Sequence, residues 1–116
     1  MTNYAGSGFE PRLSAPNSGV IVTGGASGIG LGCAEALAAV GRPVSLWDIN
    51  IAKAEAEATR LRETYGIVAH ARGVDVTDAI ALQAACPATR DALGSIGGFV
   101  HSAGVFDTGS IDMMTP

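Results

Sequence analysis

The stretch Val20-Ile21-Val22-Thr23-Gly24-Gly25-Ala26-Ser27-Gly28-Ile29-Gly30 decides how this chain folds. An apolar run rich in β-branched residues passes into a glycine turn, and a helical pattern starts at once. The run from Gly19 to Thr23 is short and continuously apolar, as expected of a strand buried on both faces of a parallel sheet. Glycines allow a tight turn and a close approach of the backbone to a ligand, and the following helix N-terminus carries partial positive charge that favours an anion. Gly24, Ser27, Gly28, Ile29 and Gly30 are therefore expected to bind a phosphate. Their spacing, Gly24-x3-Gly28-x-Gly30, differs from the G-x-G-x-x-G of the general dinucleotide fingerprint, but a strand before and a helix after supply the same context. A left-handed turn with no ligand is the competing reading.

Downstream, Ile29, Cys33, Ala36, Leu37 and Val40 recur at helical spacing, which predicts the buried face of a helix ended by Gly41. A second strand, Val44-Ser45-Leu46-Trp47-Asp48, follows Pro43. Ile51, Ala54, Ala58, Leu61 and Tyr65 mark a second helix closed by Gly66. A third strand lies within 67–76, interrupted by Arg72, Gly73 and His70, the last read as a strand-surface residue. Thr77 or Asp78 can cap a third helix running to Leu93, with a kink or break expected near Cys86 because Pro87 lies inside it. Gly94 closes that helix, and residues 96–102 form a fourth strand. Residues 103–116 read as loop, with Thr115-Pro116 placed as the start of a further helix.

Strand and helix alternate throughout, so the fold class is α/β: a Rossmann-like, doubly wound parallel sheet in the order 3-2-1-4, truncated after the fourth strand. Residues 1–18, rich in Gly, Ser, Pro and Asn, are expected to be a flexible leader, and 19–116 the N-terminal portion of the NAD(P)-binding domain. A fourth strand left as an edge favours association.

Asp48 stands at the end of the second strand, 20 residues beyond Gly28. A carboxylate there accepts hydrogen bonds from the ribose hydroxyls of adenosine and repels a 2′-phosphate, so NAD is expected over NADP. No basic residue that would welcome that phosphate stands at Ser27 or at Ile49-Asn50. The competing role for Asp48 is an N-cap for the helix opening near Ile51.

With 116 residues the chain is one domain at most; 47% apolar residues allow a core, and sixteen glycines with many alanines allow tight helix–sheet packing. A net charge of −4 without any Lys/Arg cluster argues against a nucleic-acid partner. No apolar run is long enough to span a membrane, and no signal-peptide pattern opens the chain. Cys33 and Cys86 lack C-x-x-C spacing, which fits a reducing compartment, and the expected location is cytoplasmic. No His, Cys, Asp and Glu spacing suggests a metal.

Thr23-Gly24-Gly25-Ala26-Ser27-Gly28-Ile29-Gly30 resembles the T-G-x-x-x-G-x-G motif of the short-chain dehydrogenase/reductase family. The resemblance extends through Asp48-Ile49-Asn50, Asp75-Val76 and His101-Ser102-Ala103-Gly104, and covers residues 19–116. It implies that Ile49 joins the cofactor site, that Asp75 accepts from the adenine amino group, and that Val76 packs on the ring. It implies further that His101, Ala103 and Gly104 lie near the ribose and nicotinamide, within the family's N-N-A-G stretch, in which His101 and Ser102 replace both asparagines. His101 is accordingly read as a packed, hydrogen-bonded histidine rather than a catalytic base. The family's chemistry uses a serine and a Tyr-x-x-x-Lys pair, with an asparagine completing a proton relay. Here the only tyrosines are Tyr4 and Tyr65, neither followed by lysine four residues on, and the single lysine is Lys53, so no catalytic residue is assigned.

The resulting expectation is an NAD(H)-dependent oxidoreductase that exchanges hydride with a small alcohol or ketone, present here as its cofactor-binding portion and inactive alone. The family implies a homo-oligomer at full length. Two alternatives are a non-catalytic dinucleotide-binding regulatory module and a methyltransferase-like fold for S-adenosylmethionine; the latter's G-x-G-x-G turn matches less well.

Overall fold

The structure, a computed structural model, describes residues 17–102. Four strands and three helices alternate: β1 (Gly19–Thr23), α1 (Gly28–Ala39), β2 (Val44–Asp48), α2 (Ile51–Tyr65), β3 (Ala69–Gly73), α3 (Ala79–Leu93) and β4 (Ile96–His101). All strand pairings are parallel and the order is β3-β2-β1-β4, as the alternation predicts. The strands at 67–76 and 96–102 are shorter than expected at one or both ends, ending where the chain turns into the site described below.

The alternation of side chains along each strand divides the core in two. Val20, Val22, Val44 and Leu46 pack on one face with Ala34 and Ala38 of α1 and with Ala54, Ala58 and Leu61 of α2. Ile21 and Trp47 pack on the other with Val74 and with Ala85 of α3. That second layer carries a polar seam: the Trp47 indole N–H is shared between Ser45 Oγ and Thr89 Oγ1, each at 3.1 Å, and all three residues are buried. Ser45 Oγ also lies 2.7 Å from His70 Nδ1 on β3. His70 is therefore a half-buried, partnered residue and not a free surface one; burial pushes its imidazole below the usual range, with the neighbouring Arg72 charge adding to the effect.

Two expectations about the helices need correction. The buried side of α1 is Gly30, Ala34 and Ala38, with Leu37 at its margin, whereas Ile29 and Val40 are exposed. This helix lies close on the sheet, where only small side chains fit, so its large apolar residues cannot mark its inner face. Pro87 does not break α3, which runs unbroken from Ala79 to Leu93. Pro87 and Gln83, whose carbonyl loses its intrahelical donor, are both exposed, so water can satisfy that group.

The caps follow the sequence signals. Asp78 accepts from the Ile80 and Ala81 N–H groups at the start of α3, and Gly66 and Gly94 end α2 and α3. Ser18, at the border of the expected leader, is held by Arg42, whose Nε donates to the Ser18 carbonyl and Nη2 to its hydroxyl, both at 2.9 Å.

Candidate functional site

A parallel sheet ends all its strands on one side, and here the chain leaves β1, β2, β3 and β4 around one open cleft of about 460 Å³. The cleft lies at the carboxyl ends of the strands, beside the point where the strand order reverses between β1 and β4, the usual ligand position in an open α/β sheet.

Its upper wall is the turn from β1 into α1. The turn is fixed from behind: the Gly24 and Gly25 N–H groups donate to the Trp47 carbonyl at 2.8 and 3.3 Å. Gly28 has φ +58°, in the left-handed region that disfavours a side chain. Gly30 faces a different constraint: a Cβ there would collide with the Gly24 carbonyl and stand 3.1 Å from Ser102 Oγ. Ser27 precedes the helix in an extended conformation, its hydroxyl makes no capping bond, and no acidic residue occupies the first turn. Neither a Ser27 cap nor an acidic residue within the first turn takes up its N–H groups, and the positive end of the helix borders the cleft.

Asp48 joins this wall to the next. One carboxylate oxygen accepts from the Ala26 N–H at 3.1 Å and the other from the Asn50 N–H at 3.0 Å. The cap of α2 is Asn50, whose side chain accepts from the Lys53 N–H at 3.1 Å, so Asp48 does not cap that helix. Beyond it, the Val74 N–H donates to the Asp48 carbonyl at 3.1 Å, which aligns the end of β3 with the end of β2. Asp75 folds back on Thr77, accepting from its N–H at 2.9 Å and its hydroxyl at 2.7 Å. Those bonds hold the Asp75 carboxyl below its ordinary range. Capping of α3 belongs to Asp78 instead.

The far end of the cleft is closed by β4. Thr23 is fully buried; its Oγ1 accepts from the Ser102 N–H at 3.0 Å and lies 2.9 Å from His101 Nδ1. His101 is thus hydrogen-bonded as expected but exposed rather than packed, its ring stacked on Phe99 with centroids 6.2 Å apart.

Of the residues expected at the site, Gly24, Ser27, Gly28, Ile29, Asp48, Ile49, Asp75 and Val76 all line the cleft. Gly30 lies just behind it against Gly24, and His101 stands beside its β4 end. Ala103 and Gly104 lie outside the described residues. Trp47, Val74, Thr77 and Ser102 also line the cleft and were not among the expected binding residues. Thr77 is the one with a readable signal, an Asp-x-Thr pattern in which the carboxylate folds onto the residue two places on. Lys53 points elsewhere, pairing with Glu57 at 3.6 Å along α2. No group of three or more potential metal ligands occurs among the described residues.

Residues 18–116 match the family model described as short chain dehydrogenase. The chain is 39% identical over 95 residues to 2-(S)-hydroxypropyl-CoM dehydrogenase 3 of Xanthobacter autotrophicus, an alignment covering 82% of this chain and 37% of that one. The structure superposes on L-sorbose reductase from Gluconobacter frateurii, complexed with NADPH and L-sorbose, with a TM-score of 0.76 at 26% identity, over 84% of this chain and 37% of that one. It also superposes on NAD+-bound xylitol dehydrogenase, with a TM-score of 0.67 at 29% identity, over 72% and 32% of the two chains. The chain thus spans about a third of the length of the relatives it matches.

Proposed function

The chain belongs to the short-chain dehydrogenase family, and on that footing we propose that its cleft holds the dinucleotide of an NAD(H)-dependent oxidoreductase acting on a small alcohol or ketone. The observation that carries this reading is the convergence on one cleft of eight residues picked out by motif alone. When bound, nicotinamide supplies the hydride acceptor or donor.

In this reading the first turn of α1 offers its N–H groups to the pyrophosphate, and Gly30 keeps the helix close enough to the strand for that approach. Asp48 receives the adenosine ribose hydroxyls, while Ile49 and Val76 bracket the base and Asp75 accepts from its amino group. The negative charge of Asp48, with no cation at Ser27 or Asn50 to offset it, favours NAD(H) over its 2′-phosphorylated form. The named neighbours divide on this point, one being described with NADPH and another with NAD+, so the preference rests on Asp48.

These 116 residues contain no Tyr-x-x-x-Lys, so no acid–base residue is assigned within them. Residues 19–116 are the cofactor-binding portion, and self-association at full length is part of the proposal. The test is turnover by the complete gene product. NAD+-dependent oxidation of one or more polyols or secondary alcohols, followed by NADH absorbance, is expected. Cofactor binding without turnover across a broad panel would favour a non-catalytic dinucleotide-binding module instead.

A further inference from the structure

The Asp48 carboxylate is committed before any ligand arrives. Its two oxygens hold two different backbone N–H groups, that of Ala26 inside the glycine turn and that of Asn50 at the entry to α2. Ala26 is buried, and removing the carboxylate strips its N–H of this acceptor. Among the described residues Asp48 is its one acceptor, and the neighbouring Gly24 and Gly25 N–H groups already use the Trp47 carbonyl. The turn is thus attached to the end of β2 by two backbone bonds at its start and by one side chain at its middle.

We propose that Asp48 is a positioning residue for the phosphate-binding turn as well as the residue that reads the ribose. Through Ala26 it holds the backbone between Gly25 and Ser27, and so the entry to α1, in the form that presents the first-turn N–H groups to the cleft. This rests on the dinucleotide reading given above. Removing the side chain therefore does more than lift a charge that discriminates between NADH and NADPH. It releases the turn that both cofactors need.

Two substitutions separate the roles. Asp48→Asn keeps one carbonyl oxygen for Ala26, leaves the exposed Asn50 N–H to water, and removes the charge. Asp48→Ala removes both. Binding of NADH and NADPH to the complete gene product is read by fluorescence titration, and amide hydrogen exchange at Ala26 is read in the absence of ligand. With Asp48→Asn, the preference for NADH narrows while Ala26 stays protected. With Asp48→Ala, Ala26 loses its protection and both cofactors bind about tenfold more weakly than to Asp48→Asn, equivalent to about 1.4 kcal/mol.

Unchanged Ala26 exchange in Asp48→Ala, or NADPH binding to it as tightly as to Asp48→Asn, overturns the positioning role. Failure of the unsubstituted protein to bind either dinucleotide overturns the reading of the cleft instead, and the exchange result then stands by itself as a test of the clamp.

Discussion

Trp47 carries the largest of the fully buried side chains, and its one polar hydrogen is shared between Ser45 and Thr89. Trp47→Phe keeps most of the apolar contact but strips a donor from two buried hydroxyls, so it should cost about 1–3 kcal/mol in chemical denaturation. A neutral outcome would mean that those hydroxyls find other partners. His70 borders the same seam. Its folded-state pKa is depressed, so the native state favours the neutral ring while the unfolded chain takes up a proton near the ordinary value of 6.5. Stability should therefore be flat in this respect above about pH 6.5 and fall as the pH drops below it toward the folded-state value. His70→Gln should flatten that window in unfolding curves measured across it; an unchanged slope would assign it to other groups.

At the scale of elements, α1 and α3 show what the sequence could and could not reveal. The bounds of β1 and β2 were legible because a continuous apolar run ending in glycine or aspartate has few other uses in an α/β chain. So was α2, whose inner residues Ala54, Ala58 and Leu61 keep helical spacing on an otherwise polar helix. On α1 apolar residues occur on every side, and closeness to the sheet, which no periodicity reports, selected Gly30, Ala34 and Ala38 for the interior. The lining of the candidate cleft was legible at Asp48 and at Gly24 and Gly28, which a motif of fixed spacing singles out. Val74 and Trp47 reach the cleft only because neighbouring strand ends are in register, which a linear pattern does not encode. In α3 the helix continues through Pro87 without a break, and the carbonyl that loses its donor faces solvent. Pro87→Ala restores a helix donor and should raise the unfolding free energy in chemical denaturation, by no more than the about 3 kcal/mol that an interior proline costs. In α2, Leu61→Ala should cost about 2–5 kcal/mol by opening a cavity between helix and sheet.

Across the described residues, the four-stranded sheet has two edge strands, β3 and β4. β4 is the edge strand next to β1, and on it Phe99 is 57% exposed beside His101. Exposed apolar edges recruit further chain, whether from the same protein or another copy. The 116-residue polypeptide expressed alone should self-associate, and Phe99→Lys should reduce that in sedimentation experiments; a monodisperse monomer without the substitution would count against an open edge. The cleft touches that strand only through Ser102 at its end; its other lining residues come from the turn after β1 with the start of α1 and from the ends of β2 and β3. Its assignment to NAD(H) is tested most directly by titrating the complete gene product with NADH and NADPH under identical conditions. Tighter binding of NADH is predicted, and equal or tighter binding of NADPH would contradict the role given to Asp48.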